Sequence, residues 1–390
     1  MIQGTPPEGF YVSLFLLTFF LIYGGTHAYA FFKAKAAIGF GWGTSLALVP
    51  FLALLTCGPV LVHHLGERGF EGLSRAAAWI SYTWMGLLFF FTWMNLAIDG
   101  VNLLWRLGTF LSGKGWVGLI VYGKPAFLAL AGLSLALGAY SFVEADRIRL
   151  EHVRVATDKL PPGIERVRVA QISDIHFGLM VRHGKAAAIA ELVERAGPDI
   201  LVSTGDLVDA RINHLDGLPE ILRGIRAPAG KYLVTGNHEF YAGIGQSLDF
   251  ARRAGFTILR GETATAGGLL RIAGVDDPAV GRFGTPPGRT EEDLLSGPPS
   301  PLFTLLLKHR PVATRESRRR FDLQLSGHTH DGQLFPFRIL TRFAYPLLGG
   351  LHVTRDGGAV YVSRGTGTWG PPMRFLSPPE VTIIDIERRV

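Results

Sequence analysis

"RVRVAQISDIHFGLMVRHGKAAAIAELVERAGPDILVSTGD" occupies residues 166–206. Its opening run, ending at Ser173, is short and β-branched and predicts a strand. Lys185–Ala196 predicts a helix, closed by Gly197 and Pro198 as such ends often are. The run DILVST, ending at Thr204, predicts a second strand. Strand, helix, strand in that order predicts a parallel pair and an α/β domain, whose ligands bind at the carboxyl ends of the strands. Each strand is followed at once by polar residues: Asp174-Ile175-His176 after the first, Gly205-Asp206 and then Asp209 after the second.

Moving outward, the pattern recurs. KYLVT ends at Thr235 and is followed by Gly236-Asn237-His238-Glu239. LFTLLLK ends at Lys308, before His309, and FDLQLS ends at Ser326, before Gly327-His328-Thr329-His330. GAVYVS and EVTIIDIE, ending at Ser363 and Glu387, predict two more strands. If the strands share one sheet, the five loops converge on one edge.

Carboxylate, imidazole and amide oxygen ligands suit Mn, Fe, Zn or Mg. Asp174, His176, Asp206, Asn237, His309, His328 and His330 are too many for one tetrahedral site. They fit two divalent metal ions with one carboxylate between them. Two such ions about 3.5–4 Å apart hold a bridging hydroxide and grip the attacking and leaving oxygens of a phosphoester. His328 and His330, two residues apart, would share a face and serve one ion each, with Gly327 allowing a tight turn. Each motif alone has an ordinary structural use: an Asn-His pair is commonly a turn, and His309 could be a satisfied loop histidine. Five in order, each after a strand, form a joint signal.

The first 145 residues are different. The chain has 390 residues, is 48% hydrophobic and only 18% charged, and its apolar residues crowd before Glu144. Four stretches, Tyr11–Phe32, Thr44–Val62, Ala77–Ile98 and Ala126–Val143, reach the ~20 apolar residues that span a bilayer. None contains an acidic residue, Lys or Arg, which speaks against an ion or proton path and for an anchor. His27 and Asn95 are the polar exceptions, read as packing or interfacial residues. The first stretch resembles a signal peptide at Ala28-Tyr29-Ala30, but its leader lacks Lys and Arg and three more spans follow, so it is read as retained. Four spans place both termini on one side. Arg68, Arg75, Arg147, Arg149, Arg154 and Lys159 against Lys33, Lys35, Arg106, Lys114 and Lys124 lean by a small margin to a cytoplasmic catalytic half of a multi-pass protein in the cell membrane. The net charge of +7 fits anionic lipid or phosphate-bearing substrates. Nucleic acid is not an expected partner, for want of an aromatic-basic motif or a DNA-reading helix. Cys57, the single cysteine, excludes an internal disulfide and a cysteine-based zinc site.

The motifs at 174–176, 205–209, 236–239, 309 and 327–330 resemble the calcineurin-like metallophosphoesterase family, whose pattern is D-x-H, G-D-x-x-D, G-N-H-D/E, H and G-H-x-H. The likeness covers about Arg166 to Glu387. Within the family, SGHTHDGQ and SRGTGTWGPPMRFLSPPEVTI resemble the membrane-associated YkuE/YaeI-type branch, which usually has Gly where this chain has Asp331. The resemblance implies a two-sheet β-sandwich flanked by helices over residues 146–390, behind a four-helix transmembrane region over 1–145. It implies that Asp174, His176 and His330 hold one metal, that Asn237, His309 and His328 hold the other, and that Asp206 bridges them. His238 would act as general acid or phosphoryl stabiliser, oriented by Asp209.

The activity implied is phosphoester or pyrophosphate hydrolysis by a metal-bridging hydroxide, on a substrate at the bilayer surface such as a phospholipid, an isoprenoid pyrophosphate or a nucleotide-linked lipid. A specific alternative is the UDP-2,3-diacylglucosamine pyrophosphatase of lipid A synthesis. A non-catalytic membrane scaffold with a structural metal site is a third reading, disfavoured because such a site needs neither His238 nor Asp209. Arg211 is a secondary candidate for substrate phosphate, Asp276-Asp277-Pro278 reads as a turn, Arg374 as structural, and Gly281–Pro301 as a loop that caps the site or only links strands.

Overall fold

The computed structural model describes residues 8–113, 121, 123–209, 215–312, 314, 316–353 and 358–389, with the side chains of 8–13 and 15 left out. The chain divides into two compact units. One is Met1–Phe142 with Gly370–Pro372; the other is Val143–Trp369 with Met373–Val390.

The first unit is helical: α1 (Glu8–Ile38), α2 (Trp42–Thr56), α3 (Gly58–Glu67), α4 (Glu71–Ser112) and α5 (Lys124–Asp146), which runs on into the second unit. Among the described residues α4 and α5 are long and apolar enough to cross a membrane, and α2 with α3 would make a third if counted as one span. The expected stretch Tyr11–Phe32 lies in α1 but falls partly on side chains outside the described residues, so the count expected from sequence, four, is not reached on what is described. The expected span Thr44–Val62 is bent by 54° between α2 and α3. Pro59 at the start of α3 lacks the N–H that would continue α2. Gly58 sits against α4 so closely that a Cβ there would lie 2.2 Å from Ser81 Oγ. His27 Nε2 accepts from Trp84 Nε1 at 2.9 Å and Asn95 Nδ2 donates to Phe91 O at 2.8 Å, so both polar exceptions act in packing. Lys33 and Asp99, just beyond the expected spans, form an ion pair that Tyr29 OH joins at 2.7 Å.

The second unit is a sandwich of two six-stranded mixed sheets. Its strands are β1 (Arg149–Thr157), β2 (Arg166–Ile172), β3 (Ile200–Ser203), β4 (Lys231–Leu233), β5 (Thr257–Ile258), β6 (Glu262–Ala266), β7 (Leu270–Gly274), β8 (Thr304–Leu307), β9 (Leu323–Ser326), β10 (Gly350–Val353), β11 (Ala359–Val362) and β12 (Glu380–Arg388). One sheet has the order β1-β12-β2-β3-β4-β5 and the other β10-β11-β9-β8-β7-β6. β2 to β5 run parallel, as do β7, β8, β9 and β11. The helices are α6 (His183–Ala196), α7 (Leu218–Gly224), α8 (Asn237–Tyr241), α9 (Ile244–Arg253), α10 (Glu291–Leu294) and α11 (Phe337–Ala344). α6 begins two residues before the expected start and ends at Gly197 in the left-handed region.

The strands that carry the five motifs therefore share two sheets rather than one. The period-2 alternation explains why: each strand is apolar on both faces. Val167, Val169, Ile200 and Val202 pack inward against Leu305, Leu307, Leu323 and Leu325 of the opposite sheet. Ala170, Ile172 and Leu201 pack outward against Ala186, Ile189 and Val193 of α6. Buried Gln171 ties the sheets at the site edge, its Nε2 donating to Thr204 Oγ1 at 2.9 Å and to Ser326 O at 3.0 Å.

Candidate metal centre

The ends of β2, β3, β4, β8 and β9 meet at that edge. Asp174, His176, Asp206, His328 and His330 all take positive φ, between 48° and 71°, a conformation that costs a non-glycine residue about 1–3 kcal/mol. Backbone bonds between the loops hold it: Asp174 N donates to Gly205 O at 3.0 Å, His176 N to Asp206 O at 3.1 Å and Phe177 N to Leu207 O at 3.0 Å. β9 stops at Ser326, so His328 and His330 do not lie along a continued strand; the left-handed turn sends them to different neighbours. Gly327 is needed for close approach and not for turning, because a Cβ there would lie 2.1 Å from Asp174 Oδ2. Gly236 is in the same position against Asp206 Oδ1, at 2.1 Å.

Two clusters result. Ligand atoms of Asp174, His176 and His330 lie within 4.8 Å of one another, and so do those of Asp206, His309 and His328. In the first, His330 Nε2 is 3.0 Å from His176 Nε2 and 3.6 Å from Asp174 Oδ1. In the second, His309 Nε2 is 3.2 Å from Asp206 Oδ2 and 3.1 Å from His328 Nδ1. Asp206 Oδ2 also faces the first cluster, 3.9 Å from His176 Nε2. All seven residues but His328 are buried, and His328 is half-buried.

His238 also enters a grouping, with His176 and Asp206, and its ring centroid lies 4.5 Å from that of His176. Its N–H donates to Asp206 Oδ1 at 2.8 Å and its ring Nδ1 lies 3.0 Å from Asp209 Oδ1. Asp174, His176, Asp206, His309, His328 and His330 are thus brought together, and Asn237 opens α8 at the end of the β4 loop beside His238. Arg211 lies outside the described residues.

The donor set fits cations. Asn237 Oδ1 and His176 Nδ1 are buried with no hydrogen-bond partner among the described residues, an arrangement that buried polar atoms avoid unless something else satisfies them. Burial, then the charge of His238, lowers the His176 imidazole to about 3. Burial and His309 do the same for His328, to about 3. Burial and Arg374 hold His330 well below its ordinary value. Neutral imidazoles are the form that binds a metal. Burial raises Asp174 to about 6. Burial disfavours the His309 cation, yet Asp206 outweighs it and pushes the ring up to about 10.

A second layer orients these groups. Glu239, named in the motif but given no role from sequence, accepts from Asp206 N at 3.0 Å, Leu207 N at 2.7 Å and Gly236 N at 2.6 Å. Arg374, fully buried, has Nη2 3.0 Å from His330 Nδ1 and donates from Nη1 to His330 O at 3.2 Å. Tyr345 OH sits 2.8 Å from His328 Nε2. Sequence reading missed Tyr345, which has no motif around it. Asp277 caps Ala279 at 2.8 Å and pairs with Arg310 at 2.7 Å, and Asp276 pairs with Arg260 at 2.8 Å, so both are structural. Residues 281–301 carry the end of a 3-10 turn and α10.

The calcineurin-like phosphoesterase family model matches residues 167–332. An uncharacterized metallophosphoesterase of Aquifex aeolicus (strain VF5) is 42% identical over 257 residues, 65% of this chain and 98% of that protein. A transmembrane protein with metallophosphoesterase domain from Danio rerio is 32% identical over 68% of this chain and 63% of its own length. The uncharacterized metallophosphoesterase YkuE of Bacillus subtilis (strain 168) is 30% identical over 68% of this chain and 96% of its own. Such agreement over nearly the whole of two relatives shows the family, and the chain is a calcineurin-like metallophosphoesterase, a metal-dependent phosphoester hydrolase.

Proposed function

We propose that this chain is a membrane-anchored phosphoesterase working with two divalent cations, its residues 1–145 forming a multi-pass anchor and 146–390 the catalytic domain. The observation that carries this reading is the pair of ligand clusters with Asp206 reaching both. Asp174, His176 and His330 would hold one cation and Asn237, His309 and His328 the other, with Asp206 standing between the two clusters. When bound, the cations supply a deprotonated water as nucleophile and neutralise charge on the phosphoryl oxygens.

The protein's part is placement and proton supply. Asp206 is fixed by the His238 N–H and its loop by Glu239. His238 is no metal ligand. Burial works against its protonated form, but Asp206 and Asp209 prevail and push it up to about 9. It therefore carries a proton at neutral pH that it donates to the leaving oxygen, with Asp209 fixing the ring. The substrate is lipid-linked, a reading supported by the membrane-length helices α4 and α5. UDP-2,3-diacylglucosamine, cleaved at its pyrophosphate, is the specific alternative. The Lys/Arg balance of the loops favours the cytoplasmic side for catalysis.

The test is direct. Full-length protein in detergent, stripped by chelator and reloaded with Mn²⁺, should hydrolyse bis-p-nitrophenyl phosphate, and the stripped protein should not. No turnover by the reloaded protein on this diester or on any lipid phosphate offered in mixed micelles would sink the proposal. UDP-2,3-diacylglucosamine belongs in that panel, where its hydrolysis in preference to simpler lipid phosphates selects the alternative.

A further inference from the structure

The segment from Asp331 to Tyr345 leaves the metal centre at His330 and returns to it at Tyr345, whose hydroxyl meets His328. Between these points it is pinned to the closing motif. Gln333 Oε1 accepts from Trp369 N at 2.9 Å and Gln333 Nε2 donates to Trp369 O at 2.7 Å. Phe335 N donates to Phe375 O at 3.1 Å, and Phe375 N to Gln333 O at 3.0 Å.

α11, in the middle of this segment, is laid inside out. A helix at the surface of a globular domain buries its apolar side. At 3.6 residues per turn, Arg338, Thr341 and Arg342 share one side of α11, and Ile339, Leu340 and Phe343 share the other. The polar side is the one tied to the domain, through the Arg338–Asp331 ion pair at 2.9 Å. None of the eight residues is buried, and Phe343 is 84% exposed. Phe335, Trp369 and Leu376 are exposed as well, on the stretches that the backbone and Gln333 bonds join to this segment. Scattered exposed apolar residues are ordinary; a contiguous set marks an interaction surface.

We propose that Phe335, Ile339, Leu340, Phe343, Trp369 and Leu376 form a strip that docks on the surface of a phospholipid bilayer. Two observations select a bilayer over a protein. The apolar helices of the same chain end at Asp146, three residues before β1, so a membrane is always within reach at high effective concentration. The strip is rich in Phe and Trp, which settle at the headgroup boundary. The Trp369 ring centroid lies 6.4 Å from that of His238, so a docked strip presents the general-acid histidine at headgroup level. That last consequence rests on the phosphoesterase reading. The docking does not, and its test reads lipid contact alone.

Phe343→Cys in the full chain with Cys57→Ser is labelled with nitrobenzoxadiazole and reconstituted in phosphatidylethanolamine–phosphatidylglycerol liposomes. A nitroxide placed shallowly on the phospholipid acyl chain should quench the label at least about twofold more than it quenches a label at Glu262→Cys, an exposed position on β6. Leu340→Cys repeats the measurement at a second point, so that a local defect of one variant cannot decide the result. Equal quenching at 343, 340 and 262 overturns the proposal. So does shielding that ignores the nitroxide and follows the protein-to-lipid ratio, which would assign the strip to a second copy of the chain.

Discussion

The two ligand clusters are built from like parts and held in unlike ways. Around Asp174, His176 and His330 the support comes from neutralising surroundings: Ser173 donates to Asp174, His328 N–H donates to it at 2.9 Å, and Arg374 sits against His330. Burial there keeps both imidazoles uncharged. Around Asp206, His309 and His328 the support is a concentration of charge: burial works against the Asp206 carboxylate, yet His309 and His238 outweigh it and hold it well below the usual carboxylate range. The first cluster is preorganised by dipoles and an arginine, the second by a carboxylate whose Oδ2 also faces the first. A residue shared between two such sites should matter more than any residue belonging to one.

That asymmetry orders the expected effects. Asp206→Ala removes the shared group and should lower kcat on an artificial diester by about a thousandfold or more; a loss no larger than that of His330→Ala would break the comparison. His238→Ala removes none of the proposed metal ligands, although its ring stands 4.5 Å from that of His176. It should cut kcat by about a hundred- to a thousandfold with metal content unchanged, as removal of a general acid does, whereas loss of metal would show that His238 is a ligand. Glu239→Gln sharpens the contrast from the side of stability. It turns an acceptor of four backbone N–H groups into one that must present its own donor, and thermal unfolding should show a loss of about 1–3 kcal/mol.

At the small end stands a control. Asp385 pairs with Arg168 at 2.7 Å, at the end of β2 far from Asp174, and this bond chiefly lowers its carboxyl. A depressed folded value contributes stability above the unfolded carboxylate pKa and loses it as pH falls through the folded one. Asp385→Asn should therefore cost up to about 1 kcal/mol at pH 7, and the difference from wild type should vanish in acid. Metal content should not change in this variant.

The candidate site was legible in the sequence because each candidate ligand follows a strand end within four residues, so a local signal marks a global position. What the sequence hid is what depends on distant residues. Arg374 lies 44 residues from the histidine it supports, and Tyr345 has no motif. The division of the five strands between two sheets depends on which apolar face meets which, and both faces of each strand are apolar. β5 has two residues, and β6 reads ETATA, with little apolar signal. The bend between α2 and α3 turns on Pro59 within an unbroken apolar run, where composition alone predicts one span. Gly327 reads from sequence as a turn glycine, whereas the contact that forbids a side chain there comes from Asp174, in the loop after β2 of the other sheet.

The most direct test of the shared-carboxylate account is metal counting by atomic emission on full-length protein saturated with Mn²⁺ and desalted. Wild type should retain two ions per chain, His330→Ala and His309→Ala one each, and Asp206→Ala close to none. One ion per chain in the wild type, or an Asp206→Ala variant that keeps both, would contradict it.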